Sequence, residues 1–197
     1  MTVKICKHCY TIFRGDLSYG VDGNKCPLTI CGDGCPLVEI DDLLADVMVR
    51  LWKAGLETSA SCSGHLHNRK YVKAWGIARG VEYYFPSLTI TSCLIRNKEV
   101  PMEELKDICL DLAEQYPDVT ADYREQESVL SLRAGDFNIG IPYKECLKED
   151  DPKKFLDLQQ QFVKFLYDLA DILHQMWEGT GKKTGKKATV IKTSKPH

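Results

Sequence analysis

Apolar residues recur at helical spacing in three stretches of the chain. In the first stretch they fall on one face at Ile40, Leu43, Leu44, Val47 and Leu51. Asp41 or Asp42 can cap the N-terminus of that helix, and Gly55 ends it. Pro101 starts a second apolar stripe and Pro152 a third, longer one. The pattern therefore predicts three amphipathic helices, of which the last should pack across a sheet.

Runs rich in β-branched and aromatic residues predict strands between these helices. The predicted strands are 56–61, 71–78, 85–91, 119–123 and 128–134, and the last two form a hairpin. Residues 1–38 lack a periodic apolar pattern and are rich in Cys, Gly, Asp and Pro, which is typical where a metal replaces a hydrophobic core. The predicted fold class is α+β, with an N-terminal zinc ribbon followed by a mixed or antiparallel sheet packed by about three helices.

Composition is that of a soluble globular protein. The 197 residues are 44% hydrophobic and 27% charged. No apolar run approaches the ~20 residues that span a bilayer, and the first residues lack the apolar stretch of a signal peptide. We therefore expect a cytoplasmic protein with no membrane partner.

Charge is distributed unevenly along the chain. Residues 179–197 hold six lysines and no acidic residue, so removing those six charges from the net −2 leaves −8 on residues 1–178. Any affinity for nucleic acid would therefore come from a local basic patch or from this tail. The predicted organisation is a zinc ribbon at 1–38, an α+β ligand-binding domain at 39–178 and a disordered Lys-rich tail at 179–197.

Cysteine usage indicates a metal site. Five of the nine cysteines lie within the first 35 residues, and a reducing cytosol disfavours disulfides. Cys6 and Cys9 form a Cys-x-x-Cys turn, and a second pair can come from Cys26, Cys31 and Cys35. Zinc takes four such thiolates as a tetrahedron, and a fully ligated ion is structural. The predicted ligands are Cys6, Cys9, Cys26 and Cys31, with Cys35 as the alternative.

A turn of small polar residues follows the strand predicted at 56–61. This SCSGH turn consists of Ser61, Cys62, Ser63, Gly64 and His65. Its small residues allow a ligand to approach the backbone, and its amides can form an anion-binding nest. Nearby basic residues could act as charge partners of a phosphate, namely Arg69, Lys70 and Lys73. The alternative is a plain tight turn in which Cys62 is buried and His65 is solvated.

Two resemblances bear on this turn. A CxxC ribbon, an Ile-Asp-Asp helix start, a Gly-Leu-Glu-Thr strand and the SCSGH turn, within about residues 5–92, resemble a group of poorly characterised phage and prophage proteins. That resemblance implies a protein of the host cytoplasm that sequesters a nucleotide signal of host defence. The stretch 58–64 is also similar to the TSSCSG signature of the tRNA wybutosine-synthesis methyltransferase family, which uses S-adenosylmethionine, although His65 stands where that family has arginine.

Three functions remain open on this basis. The first is a zinc-containing binding protein that holds a nucleotide-like or phosphorylated small molecule at the SCSGH turn. The second is an S-adenosylmethionine-dependent RNA-modifying methyltransferase, for which no Gly-x-Gly-x-x-Gly fingerprint follows a strand. The third is a zinc-ribbon adaptor for nucleic acid or protein. A Cys62–His65 nucleophile pair would need a third, orienting group, so we assign no catalytic residue.

Overall fold

The computed structural model describes residues 2–14, 24–31, 34–68, 81–84, 86–135 and 152–178. The helices are α1 Asp42–Lys53, α2 Met102–Ala113 and α3 Pro152–Glu178. The strands are β1 Thr2–Cys6, β2 Ile12–Phe13, β3 Leu37–Asp41, β4 Leu56–Cys62, β5 His65–Asn68, β6 Val81–Tyr84, β7 Ser87–Ile95, β8 Lys98–Glu99, β9 Val119–Arg124 and β10 Val129–Ala134. All the described strand pairs are antiparallel. The predicted α+β class with three helices is therefore confirmed.

The N-terminal part of the chain forms a three-stranded sheet of order β2-β1-β3, and Cys6 is the last residue of β1. Strand β3 runs antiparallel to β1 from Cys6 opposite Leu37 to Thr2 opposite Asp41. This sheet therefore extends three residues past residue 38. Its Val3, Ile5 and Ile40 are buried in the same hydrophobic cluster as the residues of α1, so the cysteine-bearing segment shares a core with the rest of the chain.

The larger sheet has the order β4-β7-β10-β9, with β8 paired to β7. The hairpin predicted for 119–134 is present as β9 and β10, with Val119 opposite Ala134 and Arg124 opposite Val129. Leu88 and Ile90 of β7 are buried, as are Leu130 and Leu132 of β10. These residues occupy matching register positions, so they form one apolar face against which the helices pack.

Helix α3 lies against this face, as its apolar stripe predicts. Phe155, Phe162 and Phe165 are fully buried, and α3 contacts β7, β9, β10 and the other two helices. None of the helices in the described ranges is long and apolar enough to cross a membrane. The strand predicted at 71–78 lies outside the described residues, and so does the predicted tail. The β5–β6 ladder was not predicted.

Gly55 fixes the angle between α1 and β4. Its φ is +95°, in the left-handed region that favours glycine, and its amide bonds to the Trp52 carbonyl at 3.0 Å. Its carbonyl accepts the Leu94 amide of β7 at 2.8 Å. Only two residues therefore connect α1 to β4. Strand β4 is an edge strand of the larger sheet, and it leads into the SCSGH turn.

Candidate metal centre and the SCSGH turn

Two tight turns hold the N-terminal cysteines. Cys6 ends β1, and its carbonyl accepts the amide of Tyr10 at 2.8 Å, which closes the turn that carries Cys9. Tyr10 itself adopts a φ of +59°. The second turn contains the short helical segment Thr29–Cys31, and the amide of Cys26 bonds to the carbonyl of Cys35 at 2.8 Å. The two turns bring four thiols to one point.

The geometry of these thiols suits a tetrahedral metal ion. The Sγ atoms of Cys6, Cys9, Cys26 and Cys31, here called the four-thiol group, all lie within 4.8 Å of one another. The Sγ atoms are 3.7 Å apart in the Cys6–Cys31 pair and in the Cys9–Cys26 pair. A tetrahedron with Zn–S bonds of about 2.3 Å has edges of about 3.8 Å, whereas a disulfide is about 2.05 Å long. The four-thiol group could therefore hold a metal ion.

The pKa values of the thiols shift in different directions within the four-thiol group. Burial raises the pKa of Cys9, but hydrogen bonds with the Thr11 hydroxyl and backbone, and with Cys6 and Cys31, outweigh it and lower the pKa to about 6. The Cys9 Sγ lies 3.2 Å from the Thr11 hydroxyl oxygen. Burial and the neighbouring thiols raise the pKa of Cys26 and of Cys31. Several thiols this close cannot all ionise without a cation to offset their charge.

Cys35, the alternative ligand, does not belong to the four-thiol group. Its Sγ instead contacts the backbone carbonyl oxygen of Cys31 at 3.7 Å. Sequence spacing alone did not decide whether Cys31 or Cys35 is the ligand that accompanies Cys26, because both follow Cys26 at a distance that a turn can span. The thiol positions separate the two, since the Sγ of Cys31 lies 3.7 Å from that of Cys6 and within the four-thiol group, whereas the Sγ of Cys35 does not belong to it.

Side chains on two sides of the SCSGH turn form hydrogen bonds with its backbone. The Ser63 amide donates to Oδ2 of Asp41 at 2.8 Å, and the Gly64 amide contacts the Cys62 Sγ at 3.4 Å. From α3, Nε2 of Gln159 donates to the carbonyl oxygens of Ser63 at 2.8 Å and Gly64 at 3.0 Å. Two amides of the predicted nest therefore already have partners within the chain.

Asp41 was predicted only as a helix cap. It occupies the N-cap position of α1, but its side chain makes no capping hydrogen bond and reaches the turn instead. Asp41 and Ser63 are both buried, with 8% and 7% of their surface exposed. Sequence reasoning missed the roles of Asp41 and Gln159 at the turn, because they lie 22 and 96 residues from Ser63. The capping position of Asp41 even suggested a different partner.

Cys62 is half-buried, and the pKa of its thiol is raised. Burial raises the pKa of its thiol, the Gly64 amide lowers it, and the negative charge of Asp41 raises it further. The backbone of His65 pairs with Tyr84 in the β5–β6 ladder. The His65 side chain lies outside the described part of the chain, as do Arg69, Lys70 and Lys73.

Polar contacts join the cysteine-bearing turn to the strand that leads to the SCSGH turn. Lys7, between two predicted ligands, pairs with Glu57 of β4 at 3.1 Å. The Lys7 ammonium also lies 4.9 Å from the ring centroid of Trp52, whose Nε1 donates to the Thr58 hydroxyl at 3.1 Å. The candidate metal centre therefore packs beside β4.

Comparison with protein-family models, with curated proteins and with solved structures finds no match to this chain. The two family resemblances therefore stay predictions. Interpretation of the four-thiol group and of the SCSGH turn rests on their geometry and chemistry.

Proposed function

We propose that the four-thiol group holds one structural zinc ion. The two Sγ pairs at 3.7 Å carry this proposal, because they match opposite edges of a tetrahedral tetrathiolate site. Four thiolates fill the coordination sphere of zinc and leave no position for a reactive water. The ion would fix the two turns at the end of the three-stranded sheet.

Elemental analysis of freshly purified protein tests the zinc proposal. We expect one zinc per chain, and Cys6→Ser or Cys9→Ser should lose both zinc and thermal stability, because metal binding and folding are linked. Cys35→Ser is the matched control, since Cys35 lies outside the four-thiol group, and it should keep its zinc. Absence of zinc from the wild type, or its loss in Cys35→Ser alone, would contradict the assignment.

We further propose that the chain is a binding protein that holds a nucleotide-like or phosphorylated small molecule at the SCSGH turn. The supporting observation is that the Ser63 amide already holds an anionic oxygen, that of Asp41, at 2.8 Å. An amide oriented toward a carboxylate is also oriented toward a phosphate oxygen. Ser61 and Cys62 stay half-exposed beside it, and Arg69, Lys70 and Lys73 follow in the chain as candidate charge partners. In a phage-encoded protein, such a site would sequester a nucleotide signal of the host.

Calorimetric titration with a panel of nucleotides and S-adenosylmethionine tests the binding proposal. Ser61→Ala and His65→Ala should each weaken binding by about 1–3 kcal/mol where the lost group bonds to charge. Ser59→Ala, exposed on the same strand, is the matched control. Equal affinity in all variants would place the ligand elsewhere. Turnover by the wild type that is lost in Cys62→Ala would instead indicate an enzyme.

Gly64→Val is a poor probe of this site. Gly64 is buried with a φ of +87°, a conformation that strains any β-branched residue. Gly64 was predicted only as a small residue that lets a ligand approach. Loss of binding in this variant would therefore reflect backbone strain as much as a blocked ligand.

One observation favours the adaptor function as a second candidate. Within the turn that carries Cys26 and Cys31, Ile30 is 73% exposed and Leu28 is 38% exposed. Apolar side chains displayed beside a metal centre suit a protein partner better than a nucleic acid. Native mass spectrometry of wild type and Ile30→Ser, both zinc-loaded, tests this. A partner retained equally by both proteins would contradict it.

A further inference from the structure

The Asp41 carboxylate lies within reach of backbone amides from two different elements. It is the N-cap residue of α1, where an aspartate side chain normally accepts a hydrogen bond from the second or third helical amide. Those amides belong to Leu43 and Leu44. In this structure the carboxylate instead accepts the Ser63 amide at 2.8 Å, and no side-chain capping bond is made. The Asp41 carboxylate could therefore bond either to the Ser63 amide, as it does here, or to an amide in the first turn of α1.

The turn has backbone hydrogen bonds that do not involve Asp41. Gln159 holds the carbonyl oxygens of Ser63 and Gly64 from the α3 side. The carbonyl groups are therefore fixed by one element and the Ser63 amide by another. If Asp41 turns away, the bonds to Gln159 still hold the two peptide groups that follow the Ser63 amide.

The charge of Asp41 acts directly on the site. The same carboxylate contributes to the raised pKa of the neighbouring Cys62 thiol. An anion that approaches the turn would meet this charge while Asp41 stays in place, and it would compete for the same amide. Both partners of the existing bond are buried, so the interaction is weakly screened by solvent.

We propose that Asp41 is an internal anion that occupies the phosphate position of the SCSGH turn, and that a bound phosphate displaces it. The released carboxylate then caps α1, where it bonds to the amide of Leu43 or Leu44 and lies at the positive end of the helix dipole. Capping offsets part of the cost of displacement. The empty turn is thus self-inhibited, and this mechanism rests on the proposed phosphate site.

The test is titration of the zinc-loaded, 15N-labelled full chain with inorganic phosphate at constant ionic strength. In the wild type we expect the Ser63 amide to shift together with the amides of Leu43 and Leu44, because phosphate reaches the first and the Asp41 carboxylate reaches the others. Asp41→Ser removes the carboxylate but keeps a capping hydroxyl, so it should bind phosphate about ten-fold more tightly. Its helix amides should stay unshifted.

Two further variants complete the experiment. Asp41→Asn is neutral but can still accept the Ser63 amide, so its affinity should fall between those of Asp41→Ser and the wild type. Asp46→Asn removes the same charge from an exposed position of α1 and should leave phosphate affinity unchanged. If Asp41→Ser does not fold, the Asp41→Asn variant and the helix amides of the wild type still decide the question.

The outcomes separate this inference from the function on which it rests. Binding of phosphate at Ser63 with equal affinity in the wild type and the Asp41 variants, or without movement of the Leu43 and Leu44 amides in the wild type, overturns the displacement mechanism alone. If phosphate shifts the Ser63 amide in none of the proteins, the phosphate site itself is wrong, and the displacement mechanism falls with it.

Discussion

Gly55, the residue directly before β4, has no space for a side chain. A Cβ built on Gly55 would lie 1.8 Å from the carbonyl oxygen of Leu94, and φ is +95°. The obstacle is backbone of the central sheet, which cannot yield as a side chain can. Gly55→Ala should therefore lower the free energy of unfolding by about 3 kcal/mol or more, as measured by chemical denaturation.

Gly34→Ala is the matched control for this substitution. Gly34 also has a positive φ, +88°, but its added Cβ would meet the side chain of Lys25 at 3.1 Å. A flexible side chain can move, so the loss should be nearer about 1 kcal/mol, the cost of the left-handed conformation. Equal losses in the two variants would show that the contact with Leu94 is not what excludes a side chain at Gly55.

Cys62 should react slowly with iodoacetamide at neutral pH. Its pKa is raised above the ordinary value, chiefly by burial and in part by Asp41, so less thiolate is present than in a free cysteine. The rate should keep rising at pH values where free cysteine has levelled off. Asp41→Asn removes one raising cause and should shift this profile to lower pH. Site-specific peptide mapping by mass spectrometry measures the rate, and a profile like that of free cysteine would contradict it.

Residue-level chemistry was predictable where it is local in sequence. The Cys-x-x-Cys spacing of Cys6 and Cys9 indicated a shared ion, because two thiols on one turn converge whatever the rest of the fold does. The bond from Ser63 to Asp41 and those from Gln159 were not predictable, since each depends on how α1 and α3 pack at one end of β4. Residue types at the turn therefore suggested an amide nest but not its internal partners.

Helix α3 is attached to the segment after α2 through a polar cluster. Tyr116, which is buried, donates its hydroxyl proton to Asp168, and Lys164 lies 2.6 Å from the same hydroxyl oxygen. The Tyr116 ring also meets Phe165 edge to face at 5.6 Å. The hydroxyl thus links two charged groups of α3 to the loop that follows α2.

Tyr116→Phe should therefore destabilise the protein by about 1–2 kcal/mol, because it keeps the ring but removes bonds to two charged groups. Tyr167→Phe, on α3, is the control. Tyr167 is half-buried, and its ring lies 5.2 Å from the Arg50 guanidinium, a contact that phenylalanine retains. Thermal denaturation of both variants measures the difference. A control as unstable as Tyr116→Phe would assign the loss to general repacking.

Elements were predictable where one face is continuously apolar. The stripe after Pro152 predicted α3, and the adjoining strands predicted at 119–123 and 128–134 are the β9–β10 hairpin. Strand β3 was missed, because Ile40 fits the apolar face of the following helix as well as it fits a buried strand position. The pairing of β3 with β1 decides between the two, and it joins residues up to 39 positions apart. Such long-range pairing leaves no local signal in a single sequence.

At the scale of the whole molecule, the cysteine-bearing N-terminal segment and the larger sheet share one core. Ile5 of β1 is fully buried, as are Leu44 and Met48 of α1, all in the same cluster. The sequence predicted a ribbon whose metal replaces a hydrophobic core, since residues 1–38 are poor in periodic apolar residues. Only a few apolar residues of this segment are needed, however, because α1 supplies the remainder of the apolar surface.

The C-terminal tail should be dispensable for folding. Helix α3 ends at Glu178, and near that end Arg96 of the β7–β8 turn donates from Nε to the Trp177 carbonyl oxygen. Deletion of 179–197 keeps this bond and removes a segment with almost no apolar residues, so the melting temperature should change by no more than about 2 °C. Deletion from Trp177 onward removes the partner of Arg96 and should cost more. If the tail binds nucleic acid, that affinity should weaken steeply with salt and vanish in the shorter deletion, because six lysines would supply it through phosphate contacts. A large fall in melting temperature after deletion of 179–197 alone would instead mean that the tail packs on the folded body.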